Sequence, residues 1–243
     1  MRRKKLIADL HVHTVSSGHA YATILEYARE AKRKGIKVIA MTDHGPNMPG
    51  APHYYHFSNM VMVPEYIEGV RVLRGCEANI INPQGKLDLE TPELKHLEFV
   101  MAAFHPRCGY ESQGINKDTQ VLLKALENPY VTALAHLGNP MFPTDIPAIV
   151  GAAKERGILI ELNNSSLTVS RKGSKDRCLA IAKEVKRIGW KVVLGSDAHF
   201  IHMLGDLTEA YKLAMAAGLE PQDIVNTDLK LIDKFILQRK PNL

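Results

Sequence analysis

The sequence predicts an α/β fold, a distorted TIM-like barrel of seven strand and helix units, (β/α)7, in a single domain over residues 1–243. Apolar strand-like runs alternate with helical segments about seven times, which is typical of a parallel sheet. In addition, residues that bind metals follow nearly every predicted strand, and barrels build their sites at the carboxyl ends of their strands. An open doubly wound sheet is the alternative fold, but it would gather such residues at one switch point.

The predicted strands are short apolar runs that end in turn or polar residues. After an opening segment at 9–13, they cover residues 36–41, 70–75, 97–104, 131–135, 158–162 and 191–195. Helical periodicity fills the intervals at 21–34, 117–127, 146–156, 176–188 and 207–217. In the first of these, Ile24, Ala28 and Ala31 recur at helical spacing and Gly35 ends the segment.

The opening strand carries the first pair of candidate metal ligands. Side chains alternate along an extended chain, so His11 and His13 are expected to point the same way, with Asp9 behind them. Asp197 and His199 repeat this spacing after the last strand. Imidazoles and carboxylates together suit Zn²⁺, Mn²⁺ or Fe²⁺.

Other strands end in the same kinds of residue. The candidates supplied in this way are His44, Glu77, His105 and His136. The strand at 158–162 breaks the pattern, because it ends in Asn163 and Asn164. We therefore expect a metal site assembled from many separate segments.

The motifs of the chain resemble those of the PHP (polymerase and histidinol phosphatase) superfamily of metal-dependent phosphoesterases. The matching segments are DLHVHT at 9–14, TDHG at 42–45, Glu77, His105, His136 and GSDAH at 195–199. Longer segments, MTDHGPNMPGAPH at 41–53 and LRGCEANI at 73–80, resemble the stand-alone phosphatases of the YcdX type. The resemblance covers essentially the whole chain.

This resemblance implies three zinc ions and a ligand set for each. His11, His13, Glu77 and Asp197 would hold the first ion. Glu77 would bridge to a second ion, completed by His105 and His136. His19, His44 and His199 would hold a third, and His19 enters the site only through the resemblance. Mn²⁺ or Fe²⁺ could replace zinc on the same ligands.

The implied activity is hydrolysis of phosphomonoesters by a metal-bound hydroxide held by Glu77, His11, His13 and Asp197. Three divalent ions and two carboxylates leave a local charge of about +4, which attracts a phosphate ester. Two alternatives stay open. One is a PHP-type nuclease, either a 3′–5′ exonuclease or a nucleotide phosphoesterase, and the other is a non-catalytic metal-binding regulatory module.

Three further residues are candidates for supporting roles. Asp9 and Asp43 precede ligating histidines, so either could accept an imidazole N–H, or instead cap local backbone. Arg107 could contact a phosphate group, or lie in a solvated loop.

Composition limits the cellular setting and the partners. Three widely spaced cysteines without a C-x-x-C motif favour a reducing cytoplasm. The basic start at 2–5 precedes an apolar run too short for a signal peptide, and no stretch is long enough to cross a membrane. The net charge of +5 is spread over predicted helices, so nucleic-acid binding is possible but not favoured. We expect a small phosphorylated substrate and a homo-oligomer.

Overall fold

The computed structural model describes residues 5–238, and the basic residues 2–4 lie outside that range. Seven parallel strands follow one another around a nearly closed barrel in the order β1-β2-β4-β5-β6-β7-β8. They are β1 (Ala8–Val12), β2 (Val38–Met41), β4 (Val70–Asn79), β5 (Phe99–Ala103), β6 (Val131–Leu134), β7 (Leu159–Asn163) and β8 (Val192–Gly195). A two-residue strand, β3 (Tyr66–Ile67), pairs antiparallel with β4. The predicted distorted barrel is confirmed.

Helices lie between the strands and after the last one. They are α1 (Ile24–Lys34), α2 (Tyr54–Asn59), α3 (Thr91–Leu94), α4 (Ile115–Ala125), α5 (Ile146–Glu155), α6 (Ser165–Thr168), α7 (Ser174–Ile188), α8 (Thr208–Ala216) and α9 (Leu229–Ile232). Thr23 and Glu26 form a capping box at the start of α1, and Gly35 ends the helix with a φ of 70°. None of the described helices is long and apolar enough to cross a membrane.

Alternate residues of the strands divide the core into two layers. On β2, Val38 and Ala40 pack inside the barrel, whereas Ile39 and Met41 pack against the helices outside it. The interior layer ends against Ile232 and Ile236, which close the amino-terminal end of the barrel. The carboxyl ends of the strands remain for the polar site.

A register shift in β1 corrects one expectation about its side chains. The pairing of β1 with β2 shifts between Asp9 and Val12. Leu10 packs inside the barrel, but Val12 packs outside it, so His11 and His13 share the inward face while Asp9 does not. The strict alternation expected from the sequence is therefore wrong at Asp9.

A segment that contains Asn226 is inserted at one end of the seam between β8 and β1. At the carboxyl end, the amide of Asp197 donates to the carbonyl of His11 at 2.9 Å. At the amino end, the buried side chain of Asn226 lies between the two strands. It accepts from the amide of Leu194 at 2.7 Å and donates to the carbonyls of Ala8 and Leu194 at 3.0 and 2.8 Å. Asn226 thus supplies the hydrogen bonds that direct strand pairing would make.

Candidate metal centre

The nine expected ligands lie together at the carboxyl ends of the strands. They are His11, His13, His19, His44, Glu77, His105, His136, Asp197 and His199. All except His19 and His199 are buried. Burying so many ionisable groups is costly unless they pair with one another or hold metal ions.

Four of these residues have the spacing of a tetrahedral ligand set. The Nε2 atoms of His11 and His13 lie 3.0 Å apart. Each lies 3.1–3.6 Å from the Oδ1 atom of Asp197 and the Oε2 atom of Glu77. Ligand atoms about 2.0–2.1 Å from one ion at tetrahedral angles lie about 3.3 Å from each other. The observed distances scatter around that value.

Glu77 joins this first cluster to a second. Its other oxygen, Oε1, lies 2.6 Å from His136 Nε2 and 3.4 Å from His105 Nε2. The two imidazole nitrogens lie 3.1 Å apart. One carboxylate thus presents a different oxygen to each cluster, as a ligand that bridges two ions does.

A third group of imidazoles lies at the mouth of the site. The rings of His19 and His44 have centroids 5.0 Å apart, as do those of His19 and His199. His13, His44 and His199 also form a set whose ligand atoms lie within 4.8 Å of one another. The structure therefore brings His19 to the site, although strand positions in the sequence could not place it there.

Unsatisfied buried atoms test whether the site suits a metal. Within residues 5–238, His44 Nδ1, Glu77 Oε2 and Asp197 Oδ1 are buried and have no hydrogen-bond partner. Buried polar atoms nearly always have a partner. These three face the ligand clusters, so the donor set fits divalent ions such as zinc.

Hydrogen bonds on the far side of the imidazole rings fix their orientation. Nδ1 of His105 lies 2.7 Å from Asn79 Oδ1, and Nδ1 of His13 lies 3.3 Å from Ser17 Oγ. An acceptor beside Nδ1 holds its proton and leaves the lone pair on Nε2. We assign that tautomer to His105, because its Nε2 atom faces Glu77.

Electrostatics keep several of the candidate ligands in a metal-binding protonation state. Burial lowers the pKa of His13 and His105, and lowers the pKa of His136 to about 3. Burial opposes ionisation of Glu77, but the surrounding imidazoles, His105 first, hold its pKa well below the usual range. Neutral imidazoles and an ionised carboxylate are the forms that coordinate a cation.

The two candidate aspartates support backbone and loop groups. Asp9 accepts from the amides of Ser196 at 3.0 Å and Gly205 at 2.7 Å, so it holds the segment after β8. Asp43 accepts from Ser17 Oγ at 2.7 Å, and that hydroxyl lies against His13. Asp43 therefore reaches a ligand imidazole through one serine, whereas Asp9 contacts no ligand imidazole among the described residues.

The arginine at the site is Arg171, which the sequence reasoning missed. Arg107 is exposed and does not line the cleft. Arg171 follows α6 with a φ of 47°, and its Nη1 atom donates to Asp197 Oδ2 at 2.9 Å. The same nitrogen lies 3.0 Å from Ser170 Oγ and 3.3 Å from Ser166 Oγ. Nothing in the sequence near 171 marks it, because a loop rather than a strand delivers it.

A second residue missed by the sequence reasoning is Glu161, within the strand that was expected to supply no ligand. Its carboxylate is buried and lies 2.7 Å from His11 Nδ1. A carboxylate two residues before Asn163 on an apolar strand shares that residue's face, and this spacing could have indicated it.

The candidate ligands lie at the base of a cleft of about 330 Å³. The residues that line it are His19, His44, Met48, His105, Ser165, Val169, Ser170, Arg171, Asp197, His199 and Met203. Met48 belongs to the long loop after β2, and Val169 and Met203 add apolar contacts at the rim. The cleft is large enough for a small molecule with one anionic group.

Imidazoles and carboxylates gathered at the carboxyl ends of a parallel barrel are typical of barrel metalloenzymes, and the fold and site of this chain are of that class. Within that class, the chain belongs to the PHP domain family, whose model matches residues 9–165. The family resemblance inferred from the motifs is confirmed.

Two similar relatives extend this match over nearly the whole chain. A probable phosphatase of Thermoanaerobacter sp. (strain X514) is 47% identical over 236 residues, covering 97% of this chain and 96% of the relative. A probable phosphatase of Acetivibrio thermocellus is 45% identical over 239 residues, covering 98% of each chain.

Among solved structures, the chain is similar to histidinol phosphate phosphatase from Lactococcus lactis subsp. lactis Il1403, crystallised with zinc, L-histidinol and phosphate. The two share 16% identity with a TM-score of 0.62, over 88% of this chain and 95% of the other. This likeness concerns the fold.

Proposed function

We propose that the chain is a metal-dependent phosphatase that hydrolyses phosphomonoesters at a trinuclear zinc centre. The observation that carries this proposal is the position of Glu77, whose two oxygens face two different ligand clusters, Oε2 toward His11 and Oε1 toward His136. His11, His13 and Asp197 would complete the first site, and His105 and His136 the second. His19, His44 and His199 would complete the third.

Divalent ions bound there would supply a water of lowered pKa, hold the phosphoryl oxygens and neutralise the leaving oxygen. The protein supplies a second anion contact through Arg171. Its Nη1 atom is held by Asp197 and two serines, while Nε and Nη2 make no hydrogen bond to the described residues. These two nitrogens can donate to a phosphoryl group in the cleft.

The relatives support the same chemistry. The relatives from Thermoanaerobacter and Acetivibrio are called probable phosphatases, and the Lactococcus structure holds zinc and phosphate on a similar fold. The segments at 41–53 and 73–80 support a phosphatase of the YcdX type, whose motifs they resemble. A cleft of this size can hold a small phosphate ester.

The test combines metal analysis with phosphate release. Protein purified without chelators should contain three zinc ions per chain and release phosphate from p-nitrophenyl phosphate. Glu77→Gln should lose ions and at least about 100-fold in activity, because it removes a bridging ligand. The exposed Glu127→Gln, just after α4, serves as the matched control. Wild-type metal content and activity in the Glu77 variant would refute the proposal.

A substrate panel separates the alternatives. Sugar phosphates, histidinol phosphate and nucleotides are compared with short single-stranded oligonucleotides. Preferred cleavage of oligonucleotides would identify a nuclease. Metal binding without release of phosphate or nucleotide from any of them would identify a regulatory module.

A further inference from the structure

Glu161 is a buried carboxylate that contacts members of two of the three ligand groups in the candidate metal centre. It lies in the middle of β7 and is 2% exposed. Its Oε1 atom lies 2.7 Å from His11 Nδ1, and its Oε2 atom accepts from the backbone amide of His136 at 2.7 Å. His11 belongs to the first ligand cluster and His136 to the second. One carboxylate therefore contacts a member of each.

Both carboxylate oxygens of Glu161 must act as hydrogen-bond acceptors, because the groups around them donate. The amide of His136 can only donate. Asn163 Oδ1 accepts from the amide of Ser166 at 2.8 Å, so its Nδ2 atom faces Glu161 at 3.2 and 3.3 Å. A carboxylate in these surroundings accepts from His11 as well, which places the proton of that imidazole on Nδ1.

This proton position decides how His11 can bind a metal. With Nδ1 protonated, the lone pair lies on Nε2. That atom is 3.0 Å from His13 Nε2 and 3.3 Å from Glu77 Oε2. The contact with Glu161 thus aims the ligating nitrogen of His11 into the first cluster.

The second contact holds an uncommon backbone conformation. His136 has a φ of 31°, a value that non-glycine residues rarely adopt and that strains the backbone. Its amide is fixed by Glu161, and its ring then lies 2.6 Å from Glu77 Oε1. The hydrogen bond from the amide offsets part of the backbone cost and sets the direction of the ring.

The neighbouring strand leaves room for this arrangement. A Cβ atom at Gly195, on β8, would overlap Glu161 Oε1 and His11 Cβ. A side chain larger than hydrogen at this position would separate the carboxylate from the imidazole. Gly195 is therefore a second residue on which the contact depends.

We propose that Glu161 is a positioning residue that holds the ligands of the first and second ions in register through His11 and His136. This inference rests on the metal centre proposed above. In the described part of the chain, Glu161 has no contact with the third group, His19, His44 and His199. A change that removes one of its two acceptor oxygens should therefore weaken metal binding at the first and second sites and leave the third site unchanged.

Glu161→Gln tests this with almost no change in shape. A glutamine amide offers one acceptor and one donor, so it cannot accept from both His11 and His136. We expect two zinc ions to bind about 10–100-fold more weakly and the third to bind as in the wild type. Binding is measured by competition with a chromophoric chelator. Glu93→Gln, at a buried glutamate in α3, is the matched control.

A measurement on the wild-type protein needs no variant to fold. In long-range ¹H–¹⁵N spectra of the zinc-loaded protein, His11 should show a proton on Nδ1 and a metal-shifted Nε2. A proton on Nε2 would overturn the proposal, as would wild-type zinc affinity at all three sites in Glu161→Gln. Equal weakening at all three sites would indicate a general effect on folding and would also overturn it.

The proposed phosphatase activity and the proposed role of Glu161 can be refuted independently. If the wild type binds zinc but hydrolyses no phosphate ester, the proposed function is wrong, and the affinity pattern still decides the role of Glu161. If the wild type binds no zinc, both proposals fail.

Discussion

Replacing Arg171 tests whether the cleft holds a phosphate group as proposed. The chain offers a matched control in Arg107, because both arginines have a left-handed backbone, with φ values of 47° and 64°. Only Arg171 lines the cleft, and Arg107 is exposed. We therefore compare Arg171→Gln with Arg107→Gln.

The expected loss follows from the hydrogen bonds of the guanidinium group. Nη1 is held by Asp197 at 2.9 Å, which leaves Nε and Nη2 to donate to the proposed substrate. A hydrogen bond to a charged group contributes about 1.5–3 kcal/mol. Two such bonds in a cleft partly open to water should contribute about 2–4 kcal/mol, or roughly 30–1,000-fold in kcat/KM at 1.36 kcal/mol per tenfold. Arg171→Lys keeps the charge but loses the paired geometry, so its loss should be intermediate.

The assay is the initial rate of p-nitrophenyl phosphate hydrolysis, with zinc content measured on the same samples. The zinc measurement matters because Arg171 also contacts Asp197, a proposed ligand. If Arg171→Gln keeps its zinc and stays within threefold of Arg107→Gln in kcat/KM, Arg171 does not contact the phosphate.

The other predictions concern metal removal, the barrel seam and pH. EDTA should lower the midpoint of thermal unfolding and abolish activity, because the ions bind the folded state. Added zinc should restore both, and an unchanged midpoint would contradict this prediction. Asn226→Ala leaves three buried backbone groups of Leu194 and Ala8 unpaired. The free energy of unfolding measured in urea should therefore fall by about 3–5 kcal/mol. A fall below about 1 kcal/mol would refute the bridging role of Asn226. Burial opposes ionisation of Asp43, but the ring of His56, whose Nε2 atom lies 3.4 Å from Oδ2, and hydrogen bonds from Ser17 and Thr14 lower its pKa from 3.8 to about 2. This depressed pKa stabilises the fold above pH 4 by about 2 kcal/mol, and the contribution is lost as pH falls from 4 to 2. Asp43→Asn should remove that pH dependence in the metal-free protein, whereas a wild-type acid-unfolding profile would refute it.

Much of the barrel could be predicted because apolar runs and helical periodicity report burial directly. The predicted helix at 146–156 agrees with α5 (Ile146–Glu155) to one residue. The largest difference is β4, which was expected to end at residue 75 and continues to Asn79. Glu77 lies inside this strand, paired with Met101 of β5, because the polar residue faces the site rather than ending the strand.

The supporting residues of the centre were harder to predict than its ligands. Most of the candidate ligands occur in motifs at strand ends, whereas Glu161 lies in the middle of a strand that ends in asparagines. Arg171 approaches from a loop whose course depends on its left-handed backbone. Asp9 was misplaced because the register shift in β1 interrupts the alternation on which the prediction relied. Each of these features depends on contacts between segments far apart in the sequence.

The position of the first ligand cluster at the barrel seam has a consequence for the order of folding. His11 and His13 lie at the end of the first strand, and Asp197 follows the last, across the junction that Asn226 bridges at its other end. An ion held by all three would cross-link the first and last strands and exclude open forms of the barrel, as a covalent clip does in a long loop. A growing chain could therefore complete this site only after its final strand had joined the sheet. Metal uptake would then follow the closure of the barrel and would stabilise the closed form.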